Sequence, residues 1–83
     1  MEKLKIDRID GDRGTETYRV TGFKDGELYE IKAMPHAKAE DEIIRILDER
    51  NGNKGTCWAQ GYGIYGVWFD NDAAYLRVGT SCD

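Results

Sequence analysis

Four residues, Lys24-Asp25-Gly26-Glu27, constrain this chain more than any others, because Asp-Gly accepts the positive φ angles that a two-residue hairpin turn demands. With Asp25 and Gly26 as the turn, Phe23 faces Leu28, Gly22 faces Tyr29, Val20 faces Ile31 and Tyr18 faces Ala33. Tyr18, Val20, Tyr29, Ile31 and Ala33 then share one face, and Arg19, Thr21, Glu30 and Lys32 share the other. Turn chemistry and face pattern agree, so the spacing predicts a strand on each side of the turn.

The segments around this hairpin follow from periodicity. Lys3 to Ile9 alternates Lys3, Lys5 and Asp7 against Leu4 and Ile6, and Thr15 to Phe23 resumes alternation after the turn residues Asp10 to Gly14. Pro35 suits the first turn of a helix and Asn51-Gly52 suits its far end. Between them Ala39, Ile43, Ile46 and Leu47, flanked by Ile44, form an apolar stripe at i, i+4, i+7 and i+8. Beyond it, Thr56 to Gln60 and Ile64 to Phe69 read as strands, Asp70-Asn71-Asp72 as a turn, and Ala74 to Gly79 as a closing strand. The expected fold is α+β, a two-layer sandwich in which a mostly antiparallel sheet of five to six strands (β-β-β-α-β-β-β) packs on one amphipathic helix.

The 83 residues allow a single small globular domain over 1–83 with a thin core, since a chain this short buries only about 60–65% of its unfolded surface. No apolar stretch approaches the roughly 20 residues of a membrane helix, and the opening Met1-Glu2-Lys3-Leu4-Lys5 lacks the apolar run of a signal peptide. A cytoplasmic, soluble protein is expected. Cys57 and Cys82 form no metal-binding motif and read as reduced thiols, Cys57 as a small buried hydrophobe.

The net charge of −4 provides no field for collecting phosphate backbones, so direct nucleic-acid binding is not expected. Charge is also uneven. Residues 27–50 hold seven acidic and four basic residues, whereas residues 51–83 hold five charges but six of the nine aromatics. The helix is thus the acidic end of the molecule, and the second half is its aromatic end.

Candidates for chemistry are few. His36, the only histidine, sits beside Pro35 at the helix start, and no surrounding motif pairs it with Cys57. Asp10, Asp12, Asp70 and Asp72 lie near turns but fall short of a calcium-loop spacing. Gly61, Gly63 and Gly66 match the Gly-x-Gly-x-x-Gly spacing, yet a strand rather than a helix follows them. No catalytic residue, metal or cofactor is expected.

Two surfaces remain as candidate binding sites. One is aromatic: Trp58, Tyr62, Tyr65, Trp68 and Tyr75, on strands that are either central and covered or open on one face. The other is the acidic face of the helix: Glu40, Asp41, Glu42, Asp48 and Glu49, suited to a basic partner. The leading expectation is a non-enzymatic binding protein, a homodimer, that contacts a protein partner through one or both. The alternative is an oligomer that sequesters a nucleotide or other small molecule on the aromatics, with Arg77 and Lys54 as anion contacts. In size, charge and absence of catalytic motifs the chain resembles small phage-encoded anti-defence proteins, including anti-CRISPR proteins. That resemblance covers composition alone; it implies an inhibitor of a nucleic-acid-processing complex and assigns no residue a role.

Overall fold

Alternating apolar and polar side chains carry four segments of this chain into strands, and helical spacing carries two into helices. The computed structural model describes residues 3–12, 15–51 and 64–79. Among them the elements run β1 (Lys5–Asp10), β2 (Thr17–Thr21), α1 (Glu27–Lys32), α2 (His36–Asn51), β3 (Ile64–Asp70) and β4 (Ala73–Val78). The strands form one antiparallel sheet in the order β1-β2-β4-β3, so the protein is α+β as expected. A register shift between Arg8 and Asp10 leaves Ile9 without a cross-strand partner, as a bulge on β1, and half exposed.

The expected hairpin after Asp25-Gly26 is absent. The turn itself forms: Gly26 takes φ +80° and the Glu27 amide donates to the Lys24 carbonyl at 3.0 Å. The chain then coils instead of returning as a strand, with the Glu30 amide donating to Gly26 O at 3.0 Å. Glu, Leu and Lys in Glu27–Lys32 are good helix formers. Helical spacing also puts Leu28 and Ile31 together in the core, while Tyr29, which the hairpin would have buried beside Ile31, is 78% exposed. The order among described residues is therefore β-β-α-α-β-β, with two helices and four strands. The expected strand Thr56–Gln60 lies outside the described residues.

The second helix follows its sequence signals. Pro35 immediately precedes it, and the Pro35 carbonyl accepts the Ala39 amide at 3.0 Å. Ala39, Ile43, Ile46 and Leu47 are all fully buried. They join Leu28 and Ile31 of α1 and Val20, Ala74, Leu76 and Val78 of the sheet in one apolar cluster, with Phe23, Val67 and Phe69 packed against it. Each large aliphatic side chain removed from water there contributes about 1.5–3 kcal/mol.

One side chain joins the two helices to the end of β2. Arg50, in the last turn of α2, places Nη1 2.5 Å from Glu27 Oε1 and donates through Nη2 to the Gly22 carbonyl at 2.8 Å. Glu27 also accepts the Lys24 amide at 2.9 Å. Gly22 itself takes φ +93°, and a Cβ there would lie 2.8 Å from the Lys3 carbonyl oxygen, so only glycine fits. Burial pushes the Glu27 carboxyl up, but the Lys24 amide together with the Arg50 hydrogen bond and charge outweighs it and holds the group below the usual carboxylate range.

Because that folded pKa is depressed, the Glu27 contribution to stability is present above its unfolded value of about 4.3 and is lost as pH falls through the folded value. Glu27→Gln is expected to destabilise the protein by about 1–3 kcal/mol at pH 7. In urea titrations the gap between mutant and wild type should close below pH 4; a gap independent of pH would contradict the ion-pair account.

Candidate functional site

Within a strand successive side chains point to opposite faces. With Val20, Ala74, Leu76 and Val78 buried in the apolar cluster, Arg19, Tyr75 and Arg77 emerge on the other face of the sheet. The β2–β4 register sets Arg19 opposite Tyr75 and Thr17 opposite Arg77, and the β3–β4 register sets Trp68 opposite Tyr75 and Gly66 opposite Arg77. With Asp7 opposite Arg19 on β1, a row of side chains crosses the whole sheet: Asp7, Arg19, Tyr75, Trp68.

Each contact in that row orients the next. The Trp68 and Tyr75 rings stack with centroids 5.6 Å apart and planes 8° from parallel, an arrangement favoured when the rings are offset. The Arg19 side chain stands opposite Tyr75 in the register and lies 3.6 Å from Asp72 in the turn between β3 and β4. The neighbouring Tyr75 side chain, opposed by partial desolvation and assisted by the charges of Asp72 and Asp7, raises the Arg19 pKa above its usual value. Arg19 is therefore a permanent cation that braces the aromatic pair from the β2 side. Trp68 ends the row at 44% exposure, on a strand with no neighbour on its outer side among the described residues.

Two of the expected aromatic residues, Trp68 and Tyr75, are thus brought together, and the structure places Arg77 on the same face beside them. Trp58, Tyr62 and Lys54 lie outside the described residues, as does the side chain of Tyr65. The acidic residues of α2 are less available than their number suggests. Arg45 pairs with both Glu42 and Glu49, and His36 Nε2 lies 2.7 Å from Glu40 Oε1. Among the described residues only Asp41 and Asp48 of the five are without an ion pair, and only Asp41 of these two is fully exposed. The buried stripe of α2 and the buried face of the sheet share one cluster, so the acidic side chains and Trp68 point away from it in different directions and do not form one surface.

Arg19 and Tyr29 were not anticipated. Alternation alone puts Arg19 on the polar face of β2, but that it braces Tyr75 depends on a strand pairing between residues more than fifty positions apart. Tyr29 is exposed because α1 replaces the expected strand. It rims an open depression of about 440 Å³ between the start of α1 and the β3–β4 turn, where Phe23 and Leu28 meet Lys24, Lys32, Asp25 and Asp72. Both signs of charge occur there, so the depression has no electrostatic preference. Among the described residues, no three of His, Cys, Asp and Glu gather closely enough to hold a metal ion, and no helix is long and apolar enough to cross a membrane. No family model, curated protein or solved structure matches the chain.

Stack and brace are expected to report on each other. In a Trp58→Phe background, where Trp68 is the sole indole, Tyr75→Leu should shift the tryptophan emission to the red and cost at least about 0.5–1.5 kcal/mol in chemical denaturation. Unchanged emission would mean that Trp68 is not held by Tyr75 in solution.

Proposed function

We propose that this chain is a non-enzymatic binding module that contacts a protein partner through the exposed part of its sheet's outer face, with Trp68 and Tyr75 as anchors and Arg19 and Arg77 beside them. The observation that carries this reading is the parallel Trp68–Tyr75 stack on the face of the sheet away from the core, with Arg19 opposite Tyr75. Tryptophan, tyrosine and arginine dominate the energetics of protein interfaces, and a stack already braced in the free protein loses little side-chain freedom on binding. In this reading the helices form one layer over the sheet and leave the other face to the partner. Trp58, Tyr62 and Tyr65 belong to the same aromatic half of the chain and extend the proposal by sequence alone.

The net charge of −4 favours a basic partner, and occupation of a basic site on a nucleic-acid-processing complex is the concrete form we propose. Because Arg45 and His36 engage three of the α2 carboxylates, the helix acts in this scheme through long-range attraction, which speeds encounter more than it tightens the complex. The aromatic stack supplies the contact energy. A homodimer through the sheet face would use the same residues, and light scattering across a dilution series distinguishes it from a monomer that keeps the face for another protein.

Crosslinking in extract of the source cells, followed by quantitative mass spectrometry, tests the scheme. Trp68→Ala should reduce capture of the partner by a factor corresponding to about 2 kcal/mol, roughly thirtyfold. Asp41→Lys with Asp48→Lys should reduce it only several-fold. Capture lost with the helix variant and kept by Trp68→Ala would move the contact surface to α2.

A further inference from the structure

The row from Arg19 to Trp68 is closed at one end and open at the other. Tyr75 has Arg19 beside it on β2 and Trp68 stacked on it from β3, and the indole at the end of the row is 44% exposed. Two residues earlier on the same strand and the same face, Gly66 contributes no side chain. Among the described residues a Cβ built there would meet only Arg77 Cβ, at 4.0 Å, an ordinary contact. A notch therefore lies beside Trp68, floored by Gly66 and flanked by Arg77, which is the direct cross-strand partner of Gly66.

Arg77 differs from the other described arginines. Arg8 donates to the Gly11 carbonyl, Arg19 faces Asp72, Arg45 holds Glu42 and Glu49, and Arg50 holds Glu27. Arg77 is exposed, and its side chain has no hydrogen bond or ion pair among the described residues. Asp10 is the carboxylate aligned with it, but Thr17 stands between them in the register. An uncommitted guanidinium thus sits diagonally across from an uncovered indole, about 7–8 Å away along the sheet.

We infer that this notch is a binding site for a nucleoside monophosphate, whose base stacks on Trp68 and whose phosphate is taken by Arg77 across Gly66. Stacking on an aromatic side chain is tolerant of the base, and a guanidinium matches a phosphate in bidentate geometry. Charge decides between a mononucleotide and a polynucleotide. One uncommitted guanidinium can pair with one phosphate group, while a net charge of −4 and the absence of a basic track along the described sheet repel an extended phosphate backbone. The site goes beyond the protein-binding role proposed above and stands without it, since the free chain suffices.

Titration calorimetry of the wild-type chain with adenosine 5′-monophosphate tests the inference, together with quenching of Trp68 in the Trp58→Phe background. Saturable binding is expected, with adenosine or inorganic phosphate alone at least about tenfold weaker. Arg77→Gln should lower the affinity for the monophosphate to that for adenosine. Gly66→Val keeps Trp68 and Arg77, suits a strand, and should weaken binding about tenfold at unchanged circular dichroism and melting temperature. Absence of saturable binding at millimolar monophosphate would overturn the site. So would wild-type affinity in Arg77→Gln or in Gly66→Val, or tighter binding of phenyl phosphate or a single-stranded oligonucleotide than of the mononucleotide.

Discussion

The contact on which the arrangement of this protein most depends is the one Arg50 makes with Glu27 and the Gly22 carbonyl. Three chain segments meet there: the exit from β2, the entry to α1 and the exit from α2. Glu27 is held by both Arg50 and the Lys24 amide, so the turn that opens α1 is fastened to the end of α2. The arrangement has a cost, because Arg50 Nε is buried without a hydrogen-bond partner among the described residues. An orphaned donor of that kind costs about 1–3 kcal/mol. The geometry it secures is what lets Leu28 and Ile31 enter the same core as the α2 stripe.

This contact also explains where sequence reading succeeds and where it fails. The α2 stripe extends over more than two turns between Pro35 and Asn51, and no strand period accommodates Ala39, Ile43, Ile46 and Leu47 together. Each of the four is buried. The strands β1 to β4 likewise fall within a few residues of the expected bounds, including the turn between Asp70 and Ala73. The short segment Glu27–Lys32 satisfies two periods at once: Tyr29 with Ile31 for a strand, Leu28 with Ile31 for a helix. What separates them is a guanidinium from a residue 23 positions later, which local pattern does not contain. The site was legible in the same partial way. Trp68, Tyr75 and Arg77 carry their own chemistry in the sequence. Arg19 and Gly66 acquire theirs only from the strands that pair beside them.

Apolar and charged side chains are segregated here differently from what composition implies. The excess of acid between residues 27 and 50 suggests a uniformly negative helix, yet Arg45 bridges Glu42 and Glu49 within one turn on either side, and His36 meets Glu40. On the outer face of the sheet Arg19 and Arg77 stand among the carboxylates of Asp7, Asp70 and Asp72, next to the stacked rings, so that face is aromatic and of mixed charge. The β1 edge carries alternating charges and the Ile9 bulge, two features that discourage another strand from pairing there.

The order β1-β2-β4-β3 also sets how the chain can reach its native state. β1 with β2, and β3 with β4, are neighbours in sequence and join through short connections. The pair that unites them, β2 with β4, matches Val20 to Ala74 and Thr17 to Arg77, so both helices and the aromatic segment lie in the loop it closes. Closing such a loop costs entropy before any contact compensates it, and distant pairings slow folding accordingly. The two ribbons can form early, but Tyr75 meets Arg19 only when they dock. The row that crosses the sheet is therefore complete only when the two ribbons are docked, and a chain interrupted between the ribbons would carry every residue of that row without aligning it.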